Sequence, residues 1–245
     1  MFDEPYRWTE AVSNRHGYVQ SKMQKSQPVL AVPYNEGAIL LAICPQPGKV
    51  YEVYDRIAMG GAGHPADVER LRMVLLDMAH LEGFNRSERD VTLTRLVQFG
   101  LAPALKQNFE EVQRAPYLVQ LVLVEIGPDD SNRFFKINYD GHWETFKAGT
   151  IIGGPKKMSD WVQKEIRSKP FNSWPLDQAL REACLLWEQG KKQLEEEDGS
   201  PVTLKDAFDQ WVLEGAVLCR VALRKSLYRV LNDGEIKTLK EHCLR

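Results

Sequence analysis

Apolar positions recur along this chain at two periods, and the order in which the periods follow one another outlines the fold. Trp8, Val12, Val19 and Met23 fall on one helical face, with Asp3 placed as a cap and Pro5 inside the first turn. A helix is therefore predicted over about Pro5 to Met23. Two short apolar runs follow, Pro28 to Tyr34 and Gly37 to Cys44, and Asn35-Glu36-Gly37 between them reads as a hairpin turn. After a break at Pro45, Pro47 and Gly48, the chain from Val50 starts as an apolar strand with a charged interruption at Asp55-Arg56. It then reaches Gly60, Gly61, Ala62 and Gly63 and opens a helix from Pro65, with Val68, Leu71, Leu75, Met78 and Ala79 in phase up to Gly83. The glycines read as a turn between that strand and that helix. A second long helix is predicted from its cap Ser87 to Gln113, with Pro103 inside it as a kink.

Tyr117 to Ile126 is apolar almost without interruption, as expected of a central strand covered on both faces. Arg133 to Tyr139 and Trp143 to Ile152 flank Asp140-Gly141, a hairpin signal, and Gly153-Gly154-Pro155 closes this block. Helices are predicted over Lys156 to Ser168 and Leu176 to Leu194, the second begun by Pro175, with a loop from Lys169 to Trp174 between them. The acidic run from Glu195 to Ser200 reads as a solvated loop. Trp211 to Ala222 and Ser226 to Asn232 read as a last strand pair, although the first also fits a helix, and a terminal helix is predicted from Asp233 to about Leu244. Elements grouped in this way, and not alternating strand with helix, argue for an α+β fold: a four-layer αββα sandwich of two antiparallel sheets. With no repeat or internal break, the 245 residues read as a single domain.

Composition narrows the function without naming it. A net charge of -2 gives no global attraction to nucleic acid or to an anionic membrane. No apolar run approaches the roughly 20 residues of a membrane helix. The acidic start MFDEPYRWTE is unlike a targeting leader, so a cytoplasmic location is expected. Cys44, Cys184, Cys219 and Cys243 are widely spaced in mostly apolar context and read as buried thiols, without the paired spacing of a zinc site.

The glycines before Pro65 invite a phosphate-cradle reading, which the flanking residues exclude. A P-loop needs Lys-Ser/Thr at the helix start, where this chain has His64-Pro65-Ala66-Asp67, and the dinucleotide fingerprint lacks its third glycine. Asp67 in the first turn repels phosphate. His16, His64, His80, His142 and His242 form no metal-ligand spacing, and there is no G-x-S-x-G elbow. No catalytic residue, cofactor or metal is read from the residues.

Tyr54-Asp55-Arg56-Ile57-Ala58-Met59-Gly60-Gly61-Ala62-Gly63, preceded by Lys49-Val50 and followed by a helix carrying Asp67 and Leu71, resembles the proteasome subunit family. Arg89-Asp90-Val91 and Ala115-Pro116-Tyr117 resemble the bacterial branch of that family, and Asn138-Tyr139-Asp140-Gly141 and Ile152-Gly153-Gly154 fall where the family has its landmarks. The likeness spans about residues 5 to 240. A catalytic, β-type member exposes an N-terminal threonine at the head of its first strand. Here that strand is reached through Lys25-Ser26-Gln27-Pro28, with no threonine, and the preceding helix resembles that of α-type members, which closes the cleft.

The resemblance therefore implies a non-catalytic α-type subunit of a 20S-like proteasome, with a helix and gate segment over residues 1–25 and the sandwich over 26–245. Seven copies are expected to form a ring on catalytic β subunits, admitting unfolded proteins for ubiquitin-independent or tag-dependent degradation. Met1, Phe2, Asp3, Glu4, Pro5 and Tyr6 are the expected gate. Lys49 is the expected acceptor of the C-terminal carboxylate of a regulatory ATPase or other activator, with Gly63 and His64 at the pocket wall. A catalytic subunit using Ser26 and a free-standing interaction protein on the same fold are the alternatives.

Overall fold

Period-two alternation along the strands decides the layering in the computed structural model, which describes residues 5–194, 202–222 and 225–244. Helix α1 (Pro5–Gln24) leads into β1 (Val29–Tyr34), β2 (Gly37–Cys44), β3 (Val50–Tyr54) and β4 (Ile57–Gly63). Helices α2 (Pro65–Asn85), α3 (Leu93–Leu96) and α4 (Ala102–Glu110) follow, then β5 (Val119–Ile126), β6 (Asn132–Asn138), β7 (Trp143–Phe146) and β8 (Thr150–Ile152). The remainder is α5 (Lys156–Ser168), α6 (Leu176–Lys191), α7 (Leu204–Gln210), β9 (Val212–Cys219), β10 (Tyr228–Val230) and α8 (Asp233–Cys243). The strands form two five-stranded antiparallel sheets, ordered β10-β9-β2-β1-β8 and β3-β4-β5-β6-β7.

Along β1, Val29 and Ala31 join the core between the sheets, while Leu30, Val32 and Tyr34 turn outward to Val162, Ala183 and Trp187 of α5 and α6. The second sheet does the same. Val122 and Val124 of β5 face inward, and Leu121 and Leu123 pack under Leu71 and Leu75 of α2. Three buried clusters thus separate four layers, and the αββα arrangement predicted from the grouping of elements is the one formed. As its unbroken apolar run predicts, β5 is the middle strand of its sheet.

Helix α1 belongs to none of the four layers. Val19 and Met23 enter the inter-sheet core, so α1 stops one end of the cleft between the sheets. The Arg15 guanidinium fixes it there by donating to the carbonyls of Asn108, Val112 and Arg114 at 3.1, 3.3 and 2.6 Å. The His16 ring lies 4.5 Å from that of Phe109, and its Nδ1 is 3.1 Å from the Tyr139 hydroxyl.

Several boundaries differ from the sequence reading. The glycines are not a turn: they form the interior of β4, and Asp55-Arg56 is the turn of a β3–β4 hairpin. Arg56 holds that turn by donating to the carbonyls of Ile126 and Gly127 at 2.8 and 2.6 Å, an anchor from a distant segment that local turn chemistry does not signal. What glycine supplies at Gly60 and Gly61 is room. A Cβ on Gly60 would stand 2.8 Å from both Val29 Cγ1 and Val122 Cγ1, and one on Gly61 only 2.4 Å from Val68 Cγ1 of α2.

The long helix predicted over Ser87 to Gln113 is broken. It has a 3-10 turn at Glu88–Asp90, capped by Ser87, then α3, a wide π turn at Val97–Leu101 and α4, with Pro103 in the first turn of α4. The single strand predicted over Trp143 to Ile152 divides at Gly149, whose φ of 104° turns the chain, so β7 stays in one sheet and β8 crosses to pair with β1 in the other. Helix α7, capped by the Thr203 hydroxyl, lies in a segment with no sequence assignment, and the strand drawn from Trp211 begins only at Val212. The acidic run at 195–200 and the cap Asp3 lie outside the described residues. Among the described residues no helix is long and apolar enough to cross a membrane.

Gly61→Ala is expected to destabilise the fold by about 1–3 kcal/mol through overpacking against Val68. Thermal denaturation should show this as a lower Tm, largely restored by adding Val68→Ala. An unchanged Tm for Gly61→Ala would mean that α2 rides more loosely on β4 than the geometry requires.

Candidate functional site at the head of the first strand

One end of the sandwich holds Lys49, Gly63 and His64, three of the residues that sequence reading marked. In the β3–β4 ladder Val50 faces Gly60, and Gly61 donates its N–H to the Lys49 carbonyl at 2.8 Å. Lys49 therefore stands at the same end of the second sheet as Gly63 and His64. The head of β1 and the end of β2 meet them there, since Val29 pairs with Ala42 and a Cβ on Gly60 would touch Val29.

Lys49 is half-buried, and burial pushes its ammonium below the ordinary lysine value; the nearby Cys44 thiol and Glu214 carboxylate pull the other way. No hydrogen bond or ion pair from another described residue reaches its Nζ. Its backbone, by contrast, is held closely. The Glu214 carboxylate accepts the N–H groups of Gly48 and Lys49 on Oε2, at 3.0 and 2.9 Å, and that of Val50 on Oε1 at 3.1 Å. The Cys44 thiol donates to the Gln46 carbonyl at 2.9 Å, and its burial pushes its own pKa up to about 11. This is a cation presented on a rigid loop with its charge uncommitted, which suits it to a single incoming carboxylate.

Gly63 serves the backbone. Its φ is 128°, and a Cβ there would lie 2.0 Å from the Leu118 carbonyl oxygen, so only glycine carries the chain from β4 into α2 beside the start of β5. His64 follows as the N-cap of α2: its Nδ1 accepts from Ala66 N–H at 3.3 Å and its own N–H donates to Leu118 O at 2.8 Å. Asp67 in the first turn accepts from Leu118 N–H at 2.9 Å. The exposed His64 ring lines a surface cleft of about 440 Å³ with Tyr18, Arg70, Arg114 and Tyr117. Neither Lys49 nor Gly63 is in the lining of that cleft, so the three residues share an end of the sandwich without lining this cleft together.

Met1, Phe2, Asp3 and Glu4 lie outside the described residues, and the backbone of Pro5 and Tyr6 begins α1. Ser26, at the join of α1 and β1, donates its hydroxyl to the Met23 carbonyl at 2.7 Å and accepts from Gly154 N–H at 3.4 Å. Among the described residues no cluster of His, Cys, Asp and Glu has the arrangement of a metal site. Glu214 escaped the sequence reading because a lone acid in the run Val212-Leu213-Glu214-Gly215-Ala216 signals only a partly wet face. Arg70, above the Tyr117 ring at 5.7 Å, was missed as one of many helix-surface cations. On the outer helix layer Leu81, Phe84 and Phe99 stand 61%, 88% and 76% exposed, a large apolar surface for a folded chain to leave in water.

Comparison with known proteins gives this end of the molecule its context. The family model described as "Proteasome subunit" matches residues 23–170. The chain is similar to the protein named proteasome subunit alpha of Frankia alni, with 29% identity over 177 residues and 71% of each chain covered. It is similar to that of Acidothermus cellulolyticus at 26% over 225 residues, 91% of each chain. The Thermomonospora curvata protein of the same name is 27% identical over 175 residues, covering 70% of this chain and 74% of its own. The matched family model spans more than half of the sequence and the relatives carry the α name, so the chain belongs to the proteasome subunit family as an α-type subunit.

Proposed function

We propose that seven copies of this chain form the outer ring of a cytoplasmic, 20S-like proteasome, seated on catalytic β subunits. In this reading the ring gates the admission of unfolded proteins and docks a regulatory ATPase or other activator through Lys49. The observation that carries it is the half-buried Lys49 on its clamped loop, whose ammonium makes no direct hydrogen bond or ion pair with another described residue. A compact ammonium suits the single carboxylate of an activator's C-terminal tail, and partial shielding strengthens that pairing over a fully exposed one. His64 and Gly63, at the same end, stand at the wall of the pocket that a neighbouring copy completes.

Head-to-tail contacts between identical chains close into a ring when the rotation permits, and the exposed Leu81, Phe84 and Phe99 favour a subunit that is covered by others. The seating of α1 supports the gate. Arg15, His16, Val19 and Met23 fix the helix to the sandwich, which gives a gate built from Met1 to Tyr6 a firm base. The hydroxyl of Ser26, bonded to the Met23 carbonyl, offers no support to a catalytic reading.

Co-expression with a proteasome β subunit, followed by electron microscopy and peptidase assay, tests the assembly. Seven-fold rings with peptidase activity are expected, and another symmetry or an inactive mixture would overturn it. Lys49→Ala is expected to leave barrels intact but to weaken tail docking by about 1.5–3 kcal/mol, roughly ten- to a hundredfold, and to abolish activator-stimulated degradation. Unchanged stimulation refutes that role.

Because burial lowers the pKa of Lys49, its positive charge is lost as pH rises, and earlier than for a free lysine. Affinity for a free-carboxylate peptide should therefore fall with rising pH, with a midpoint below about 10.4, the ordinary lysine value. Lys49→Arg should flatten this fall; an unaltered profile in that variant would assign the titration elsewhere. Trimming Met1 to Pro5 is expected to raise peptide hydrolysis by the assembled barrel, and equal rates in the trimmed and full-length barrels count against the gate.

A further inference from the structure

The loop between β2 and β3 has every reason to be loose. It consists of Pro45, Gln46, Pro47, Gly48 and Lys49, its first four residues are exposed, and Gly48 adopts a φ of 99°. It is nevertheless closed from both sides. The Tyr51 hydroxyl donates to the Gly48 carbonyl at 2.5 Å, and three successive N–H groups, of Gly48, Lys49 and Val50, converge on the single carboxylate of Glu214. Glu214 stands on β9, the neighbour of β2, opposite Ala42 and two residues inside the pair of Cys44 with Val212.

A carboxylate that accepts several backbone N–H groups in this way has its charge largely answered by peptide dipoles. It can thus sit beside a lysine without neutralising it in a direct ion pair. We propose that Glu214 is the positioning residue of Lys49: from the adjacent sheet it locks the three consecutive N–H groups around Lys49 and so fixes where the ammonium meets a partner's terminal carboxylate.

This inference rests on the reading of Lys49 as the tail acceptor and goes beyond it, because it makes the docking site a product of both sheets. Val50 opens β3 of one sheet, directly after Lys49, and Glu214 belongs to the other, so the clamp crosses the sandwich. Two properties of Glu214 are separable by substitution. Glu214→Gln keeps the length but loses the charge and half of the accepting oxygens; Glu214→Asp keeps the charge but falls one methylene short of the loop.

The experiment uses barrels of the full-length chain assembled with β subunits. Fluorescence anisotropy then measures binding of a labelled short peptide that ends in a hydrophobic residue, tyrosine and alanine with a free carboxylate, with its C-terminal amide as control. Both Glu214→Gln and Glu214→Asp are expected to weaken the free-carboxylate peptide about tenfold, as expected for loss of a charge-assisted bond, while leaving the amide unchanged. Added to Lys49→Met, Glu214→Gln should cause no further loss, because the two residues act as one unit.

If Lys49→Met itself leaves binding unchanged, the docking reading falls and this inference with it. If Lys49→Met weakens binding and the Glu214 variants do not, the docking reading stands and the positioning role is overturned. Parent-like binding by Glu214→Asp would assign the effect to charge alone, and additive losses in the double variant would assign it to a route independent of Lys49. Should neither Glu214 variant assemble into rings, Glu214 is an architectural residue and the proposal is refuted.

Discussion

The close approach of the two sheets at β4 is the constraint on which the rest of the structure depends. Gly60 faces Val29 and Val122 across the inter-sheet core, where a methyl group would stand at 2.8 Å from each, and Gly61 on the opposite face admits Val68 of α2 just as closely. Interiors packed at crystal-like density leave no slack for a side chain at either position. A bare strand therefore brings three layers together: the partner sheet on one face, the first outer helix on the other. The head of β1, the β2–β3 loop and the start of β5 reach one another at that end because β4 lets them.

At that same end, a second arrangement sets this chain apart from one that would keep the cleft open. Val19 and Met23 of α1 occupy the end of the inter-sheet core, and Arg15 ties the helix to three carbonyls in and just after the last turn of α4. Ser26, in the position that leads into β1, is drawn into the end of the helix through the Met23 carbonyl.

Much of this was legible in the sequence wherever a periodic signal was long. Val29 to Tyr34 and Val119 to Ile126 announced strands by composition, Pro65 to Gly83 announced a helix by phase, and their grouping gave the sandwich. What was illegible depended on contacts far away in the chain. Asp55-Arg56 carries no glycine or asparagine to mark a turn; it turns because Arg56 reaches the carbonyls of Ile126 and Gly127. The glycines of β4 looked like a turn because absent side chains signal flexibility and close packing alike, and only Gly63 has the positive φ that a corner demands. The π turn at Val97–Leu101 has no cue in composition, and it carries Phe99 into solvent while Val97 and Leu101 stay buried. At the site, Lys49 came from family resemblance, whereas Glu214, whose three bonds hold its loop, is a single acid within an apolar strand.

The clamp between Glu214 and the Lys49 loop joins residues 165 positions apart. Contacts of such separation form only after the intervening chain has folded, because loop closure opposes them until other contacts have been made. During synthesis Lys49 is made early, yet its loop acquires its final shape only when β9 has been laid beside β2. An incomplete chain would therefore carry the lysine on a loop closed only by the local bond of Tyr51 to the Gly48 carbonyl. The ordered form of that loop is a mark that the last strands have arrived, so completeness of the polypeptide is written into the geometry of one of its earliest segments.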